Sequence, residues 1–289
     1  MVLLTPFFVL FTAVLLAPIG YAVYLSLFTE HSSGLGFGGS ETVFTGLGNY
    51  ARALGDAAYR DGFLNIAAYC LLYIPLLLVL SLLVALLLDS VLARAKRFFQ
   101  LALFLPHAVP GIIAALIWTY LYTPGISPVL DVLGSAGAHL DILGHPLPAV
   151  VNMAVWEATG YNMVILYAAL QAIPREILEA AVVDGASPLR TALSIKIPLI
   201  RASITMVGLF TVIGSLQLFT EPTILRGASS AVDSSWTPNM YAYTAAFTRN
   251  DYGLAAASSV LLALVAAALS FIITRATRAR SERRPEARA

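Results

Sequence analysis

The chain has 289 residues, of which 59% are hydrophobic and 11% are charged, and its formal net charge at pH 7 is +1. Soluble domains carry about 25% charged residues, so this composition predicts a membrane protein. The near-neutral charge balance gives no indication of a nucleic-acid partner. The one cysteine, Cys70, excludes an intrachain disulfide, and the four histidines lack ligand-like spacing, so no metal site is predicted.

Long apolar segments recur along the chain. Five of them contain no Asp, Glu, Lys or Arg, and a sixth is interrupted only by Glu157. A helix needs roughly 20 residues to cross about 30 Å of hydrocarbon. The sequence therefore predicts an all-α fold with six transmembrane helices, at residues 3–28, 63–88, 99–122, 147–170, 199–220 and 254–274. The alternative for the first segment is a secretory signal peptide, but a basic start and a small-residue cleavage site are missing.

The distribution of basic residues predicts the orientation of these helices. If the N-terminus is cytoplasmic, thirteen Lys and Arg residues lie on the cytoplasmic side and four lie outside, namely Arg52, Arg60, Arg226 and Arg249. By the positive-inside rule, both termini and the segment 172–198 are then cytoplasmic. Residues 276–289 form a basic tail, which we expect to be solvated or to lie on anionic headgroups.

The connections between the predicted helices carry local signals. After the first helix, the stretch HSSGLGFGGS predicts a loop, and FTGLGNYARALGDAAYRDGF predicts a short helix on the outer membrane surface. Pro75 lies within the second predicted helix, where it is expected to cause a kink because proline removes a backbone donor. Pro106 and Pro110 lie in the first turns of the third.

The segment 172–198 has mixed polarity and predicts two short helices at an angle. The first helix starts at Pro174 and ends at Asp184-Gly185, where Gly185 is free to adopt the left-handed conformation that terminates helices. Ser187-Pro188 then provides the N-cap and first residue of the second helix. The first helix is expected to expose the small residues Ala180 and Ala181, so that another surface can approach closely.

The stretch EAAVVDGASPLRTALSIKIP within this segment resembles the signature of the permease subunits of bacterial ABC importers. In that signature Glu-Ala-Ala is followed by Gly after three intervening residues, and then by Ile-x-x-Pro after nine more. Four further stretches are similar to the carbohydrate-uptake branch, that is, to maltose and glycerol-phosphate permeases. They are FTGLGNY, FLPHAVPGIIAALIWTYLYTPG, VWEATGYNMVILYAALQAIPREILEAA and IGSLQLFTEPTILRGA.

The resemblance implies a role for the segment 172–198 as a coupling loop that sits in a groove of a separate ATPase. The implied coupling residues are Glu179, Ala180, Ala181, Asp184, Gly185, Ile195 and Pro198. It also implies the partners: a second, similar permease, an ATPase dimer and an extracytoplasmic solute-binding protein. ATP and Mg²⁺ would bind to the ATPase, so no cofactor and no catalytic residue are expected in this chain.

Polar residues within the predicted helices indicate where a solute would pass, because such residues usually face a cavity or a partner helix. Glu157 lies about 13 Å below the outer end of the fourth helix, and Tyr161 follows one turn later on the same face. Similar permeases line their cavity at positions that match Ala154, Glu157, Ala158, Tyr161, Thr211, Ser215 and Leu218, and Gln217 is adjacent to them. The alternative role for these side chains is interhelical packing or hydrogen bonding.

The sequence therefore predicts one permease subunit of an ATP-driven sugar importer in the bacterial inner membrane, working by alternating access and itself not an enzyme. One alternative is an ABC permease for a different solute class. Another is a self-powered secondary transporter, which predicts paired intramembrane charges or an inverted repeat. The sequence does not identify the sugar or decide between a heterodimer and a homodimer of permeases.

Overall fold

The computed structural model describes residues 4–32, 40–90, 94–137 and 140–282. The second half of the predicted basic tail, residues 283–289, lies outside this part of the chain. The α-helices are α1 Thr5–Phe11, α2 Ala17–Ser26, α3 Gly48–Gly55, α4 Ala57–Asp89, α5 Lys96–Phe104, α6 Gly111–Tyr122, α7 Pro128–Ser135, α8 Pro146–Gln171, α9 Arg175–Val183, α10 Pro188–Thr191, α11 Ile197–Leu199, α12 Arg201–Leu216, α13 Thr220–Leu225, α14 Pro238–Phe247 and α15 Tyr252–Glu282. The strands are β1 Phe28–Ser32 and β2 Ser40–Phe44.

The chain forms two compact units. One comprises Met1–Ala67 and Asp233–Leu269, and the other comprises Ala68–Val232 and Ser270–Ala289. Helices α4 and α15 each contribute residues to both units.

The first unit begins with a long apolar helix. Helices α1 and α2 are joined by a π-helical turn, Thr12–Leu16, into one helical segment, Thr5–Ser26, whose apolar side chains are exposed. The chain then forms an antiparallel hairpin of β1 and β2, which the all-α prediction missed. Phe28 and Phe44 are paired across the hairpin with ring centroids 5.3 Å apart, and such aromatic pairs stabilise neighbouring strands.

The core of the first unit forms around two tyrosines. The rings of Tyr59 and Tyr241 lie 5.0 Å apart, and the Tyr59 hydroxyl donates to the carbonyl of Ser258 at 2.7 Å. The amide of the fully buried Asn49 in α3 donates to the carbonyls of Ser26 and Phe28 at 3.0 and 2.7 Å. The predicted surface helix is thus α3, and it is held to the end of the first apolar helix by satisfied buried polar groups.

Three helices form the core of the second unit. Met163, Leu166 and Leu170 of α8 pack against residues of α4 and α12, including Leu88 and Val207. All five side chains are buried, and the three α8 residues follow the spacing expected for one face of a helix. Helix α8 is therefore the central element of this unit.

The third predicted helix is not one straight span, which corrects the sequence prediction. The helical segments Lys96–Ala108 and Gly111–Tyr122 are bent by 94° with respect to each other. Val109, the residue before Pro110, is extended with ψ 131°, because proline disfavours the helical conformation of its predecessor. Pro106 lies in the short 3-10 helix Leu105–Ala108 at the end of the first segment, and Pro110 is the N-cap of α6, so one proline stands on each side of the bend.

Within the described residues, four helices are long and apolar enough to cross a membrane, and the bent pair makes a fifth if it is counted as one span. The four are Thr5–Ser26, Ala57–Asp89, Arg201–Leu225 and Tyr252–Arg275. Helix α8, the fourth predicted span, has 26 residues and is long enough, but it is not among these apolar helices. The count of six spans and the orientation of the termini therefore stay predictions.

Asp89, the last residue of α4, connects three elements of the second unit. Its carboxylate accepts a hydrogen bond from the Gln171 amide at the end of α8, at 2.6 Å. It also forms an ion pair with Lys196, which lies in the π-helical turn Ala192–Lys196 before α11. The Asp89 side chain is only 9% exposed. Because it has lost most of its contact with water, its charge must be stabilised by its two partners.

Gly160 in α8 provides a test of helix packing. A Cβ at this position would overlap the backbone carbonyl of Leu103 in α5, whereas a Cβ on Gly208 in α12 would meet the Leu78 Cδ1 atom at 3.7 Å. We expect Gly160→Ala to destabilise the protein by about 1–3 kcal/mol through overpacking. Gly208→Ala should be neutral or stabilising, since alanine favours helices. The measurement is thermal unfolding of the purified protein; equal behaviour of the two variants would contradict the close approach.

The Asp89 contacts provide a second test. Lys196→Met should destabilise by about 1.5–3 kcal/mol, the range for hydrogen bonds to charged groups. In the double variant Asp89→Asn, Lys196→Met the loss should be smaller than the sum of the single losses, because the two residues share one interaction. Arg190→Met, at an exposed position, is the matched control and should have little effect. Strictly additive single losses in thermal unfolding would show that the ion pair contributes nothing.

Candidate functional site

A cavity of about 360 Å³ lies within the second unit. Its walls come from α4, α8, α12 and α13 and from the break between α5 and α6. The structure brings together in this one cavity all eight residues that the sequence analysis selected for the solute path, namely Ala154, Glu157, Ala158, Tyr161, Thr211, Ser215, Gln217 and Leu218.

The hydroxyls in the α12 wall bond to their own helix. Thr211 Oγ1 donates to the Val207 carbonyl at 2.8 Å, and Ser215 Oγ donates to the Thr211 carbonyl at 2.6 Å. The Ser215 side chain also forms a hydrogen bond with Cys70 of α4, so the alternative role, interhelical hydrogen bonding, stays open. Each hydroxyl oxygen keeps acceptor capacity, which is available to a donor in the cavity.

Aromatic side chains that the sequence analysis missed also line the cavity. Tyr69 and Tyr73 are stacked one helical turn apart on α4, with ring centroids at 4.9 Å. His107, in the break between α5 and α6, is stacked on Tyr161 at 4.5 Å. The four-residue spacing of Tyr69 and Tyr73 in the second predicted helix already indicates that the two rings lie on one helix face. The second pair depends on the bend, which the sequence analysis did not predict.

Glu157 faces the start of α6. Both of its carboxylate oxygens lie 3.9 Å from the position that a Cβ would take on Gly111, the first residue of that helix. The N-terminus of a helix carries partial positive charge and favours a carboxylate. The break in the third predicted helix thus creates a local environment for the charge in the middle of α8.

A second carboxylate, Glu221, lines the same cavity. It lies in the first turn of α13, one residue beyond the fifth helix as the sequence analysis bounded it. The apolar helical segment instead continues to Leu225, and α13 packs against α6 and α8. The described residues that line the cavity include no Lys or Arg. Among all described residues, no group of three or more His, Cys, Asp or Glu side chains could hold a metal ion.

The segment 172–198 has the predicted local geometry at its turn. Helix α9 ends at Val183, and Gly185 adopts a left-handed φ of 76°. The amide of Gly185 donates to the Val182 carbonyl at 3.0 Å, and that of Ala186 donates to the Ala181 carbonyl at 2.9 Å. This pair of bonds is the Schellman motif, which satisfies the last carbonyls of a helix and fixes the direction of the following chain.

The second helix of the segment starts as predicted. Ser187 is the N-cap of α10, and its Oγ accepts from the Arg190 amide at 3.3 Å. Pro188 occupies the first turn, and helical structure continues through the π-helical turn Ala192–Lys196 into α11. Pro174 precedes the first residue of α9 instead of occupying it, a shift of one residue. The two short helices are therefore observed.

Exposure along the segment corrects one prediction. Ala180 is exposed, but Ala181 is only 5% exposed. The exposed surface consists instead of larger apolar side chains on both sides of the turn, namely Val182, Val183, Leu189 and Leu193. Of the other implied coupling residues, Glu179, Asp184 and Gly185 are exposed, and Ile195 and Pro198 are half-buried. This patch of four apolar side chains has no cover within the described chain.

The family comparison covers most of the chain. Residues 47–284 match the family described as the binding-protein-dependent transport system inner membrane component. The sn-glycerol-3-phosphate transport system permease protein UgpA of Salmonella typhimurium is 32% identical over 262 residues, which cover 88% of this chain and 85% of that protein.

Solved structures show the same fold. The chain matches a bacterial ABC transporter involved in the import of the acidic polysaccharide alginate with a TM-score of 0.81 and 19% identity, covering 96% of this chain and 94% of that one. The same values of TM-score and identity hold for the alginate transporter in complex with an alginate pentasaccharide-bound periplasmic protein, with 96% and 93% covered. The family match and the 32% identity to UgpA show that this chain belongs to the inner membrane components of binding-protein-dependent transport systems.

Proposed function

We propose that this chain is one of two permease subunits of an ATP-driven importer that moves a sugar or sugar derivative into the cell by alternating access. The observation that carries the proposal is the cavity in which hydroxyls, carboxylates and stacked aromatic rings converge. Its volume of about 360 Å³ is at the lower end of the range for small-molecule sites, about 300–1,000 Å³.

The chemistry of the cavity suits a polyhydroxylated solute. Sugar hydroxyls need hydrogen-bond acceptors, and the carboxylates of Glu157 and Glu221 together with the Thr211 and Ser215 oxygens supply them. Sugar rings also have weakly apolar faces, which pack on aromatic rings such as that of Tyr161. The relatives are named for glycerol phosphate and for a polysaccharide, both of which carry hydroxyl groups, and this supports the same solute class here.

The segment 172–198 is proposed as the coupling loop to a partner ATPase. By the positive-inside rule it lies on the cytoplasmic side. Its exposed apolar patch of Val182, Val183, Leu189 and Leu193 is of the kind that protein interfaces cover. The Schellman turn and the contacts of Asp89 give the loop a fixed geometry relative to α4 and α8, so that movement of the loop is transmitted to helices that line the cavity.

The partners follow from this assignment. A second permease would complete the solute path, an ATPase dimer would bind ATP and Mg²⁺, and an extracytoplasmic binding protein would deliver the solute. ATP binding to the ATPase would favour the outward-open state and hydrolysis would restore the inward-open one. Each partner shifts this equilibrium only by its differential affinity for the two states.

Two alternatives are distinguished by the energy source and by the solute. A secondary transporter predicts paired intramembrane charges, and Glu157 and Glu221 are two such charges in one cavity. Membership of the binding-protein-dependent family favours ATP-driven transport. An ABC permease for a non-sugar solute remains the other alternative.

The proposal is tested by transport with the assembled complex. The chain should be reconstituted in vesicles with its second permease, ATPase and binding protein, and uptake of a panel of labelled sugars measured. We expect uptake that requires ATP hydrolysis and that persists when ionophores abolish ion gradients. Uptake that needs an ion gradient and no ATP would favour the secondary transporter, and uptake of amino acids or peptides alone would favour the other solute class.

The turn of the proposed coupling loop gives a further prediction. Gly185→Val should reduce ATP-driven uptake at least about tenfold, because a β-branched residue at φ 76° is strained and the loop would lose its shape. The amount of protein in the membrane should stay within about twofold, since the open space around Gly185 leaves no clash. Gly134→Val in α7, at a position with ordinary φ and no atom near its Cβ, is the control and should transport normally. Normal uptake and ATPase binding by Gly185→Val would contradict the coupling role.

The Tyr161 ring gives another prediction. Tyr161→Leu should weaken sugar binding by the complex about two- to tenfold, the equivalent of an aromatic contact of about 0.5–1.5 kcal/mol. Tyr161→Phe keeps the ring and should lose less. The readout is sugar binding to the assembled complex without the binding protein. Tyr120→Leu, an exposed position in α6 outside the cavity, is the matched control, and an equal loss in both Leu variants would remove Tyr161 from the solute path.

A further inference from the structure

The charges that line the cavity are strongly one-sided. Glu157 and Glu221 both contribute carboxylates, while the described lining residues include no Lys or Arg. His107 is the one described lining residue able to carry a positive charge, and its ring is stacked on Tyr161. Charges interact strongly where protein walls replace water. The described cavity lining therefore offers two acidic groups and no Lys or Arg to balance them.

The N-terminus of α6 is the part of this cavity where an anion would bind most favourably, and Glu157 lies beside it. Broken helices in transporters present their N-termini to anionic groups of the solute, because the amide groups and the helix dipole favour negative charge. The break at Pro110 creates such an end at Gly111, the start of the 12-residue helix α6. Both carboxylate oxygens of Glu157 lie beside that end, 3.9 Å from where a Gly111 Cβ would be. The protein's own carboxylate thus lies next to the helix end that a phosphate or a carboxylate of a solute would use.

We infer that the cavity selects uncharged sugars and discriminates against anionic ones such as sugar phosphates and uronic acids. This inference rests on the proposed function and narrows its solute class. An anionic sugar meets two like charges in a confined space, whereas an uncharged sugar offers hydroxyl donors to the same two carboxylates. The relatives identified above are named for an anion, sn-glycerol-3-phosphate, and for an acidic polysaccharide. The chain accordingly shares their fold and family but differs in the charge of its solute.

Glucuronate and glucuronamide are the probes that isolate charge, because they have nearly the same size and hydroxyl pattern. Binding of each to the assembled complex, with the binding protein omitted, reports on the transmembrane cavity alone. Glucose and glucose 6-phosphate form a second pair. We expect the anionic member of each pair to bind at least about tenfold more weakly than the uncharged one, and this difference to shrink as salt screens the charges.

Charge-removing and charge-keeping variants assign the effect to the two residues. In the double variant Glu157→Gln, Glu221→Gln the ratio of affinities should fall to about one, and Glu157→Gln alone should lower it because the α6 end becomes free for an anion. The control Glu157→Asp, Glu221→Asp keeps both charges and should keep the discrimination. Since affinities are compared as ratios within one variant, a general loss of binding does not imitate the result.

Three outcomes would overturn the inference. Equally tight binding of glucuronate and glucuronamide by the wild-type complex would overturn the inference directly, even if no variant folds. Unchanged discrimination in the double Gln variant would show that the two carboxylates do not cause it. Binding of neither member of either pair, while the complex still hydrolyses ATP and transports another solute class, would remove the carbohydrate proposal and the inference with it.

Discussion

The break between α5 and α6 is the constraint on which the candidate site depends. Pro106 and Pro110 end one helix and start another at an angle of 94°. This bend brings His107 onto Tyr161 and the start of α6 beside Glu157. A carboxylate in the middle of an apolar helix is costly unless it faces a cavity or a compensating group. The half-buried carboxylate of Glu157 lies on the wall of the cavity and beside the start of α6, so the break in the backbone places a helix N-terminus next to it.

The segment 172–198 is built on a different principle, in which local backbone geometry matters more than packing. The Schellman bonds at Gly185 and the N-cap at Ser187 are short-range interactions that hold the two helices at a fixed turn. Asp89 then ties this local unit to the ends of α4 and α8. The proposed coupling role, docking on a partner while moving membrane helices, would need this combination of exposed apolar side chains with rigid anchoring.

Family membership and solute chemistry are separable in this protein. The fold and the family follow from similarity over most of the chain. The proposals about the solute rest on a few side chains at one place, the cavity that Glu157 and Glu221 line. Function resides in such sites on a shared scaffold, and under these proposals the acidic groups of the cavity select among hydroxyl-bearing solutes.

The sequence by itself determined the features that depend on neighbours along the chain. Apolar length predicted the long helices, and glycine and serine chemistry predicted the turn at Gly185 and the cap at Ser187. Polar residues of two helices, together with the resemblance to similar permeases, identified eight side chains that share one cavity. Tertiary structure alone decided the direction of the bend after Pro106, the burial of Ala181 and the meeting of Glu157 with Glu221, 64 positions apart in the sequence. Hydrophobic periodicity and capping act over three or four residues, whereas these features result from packing between helices that are distant in the chain, and no local pattern encodes which faces will meet.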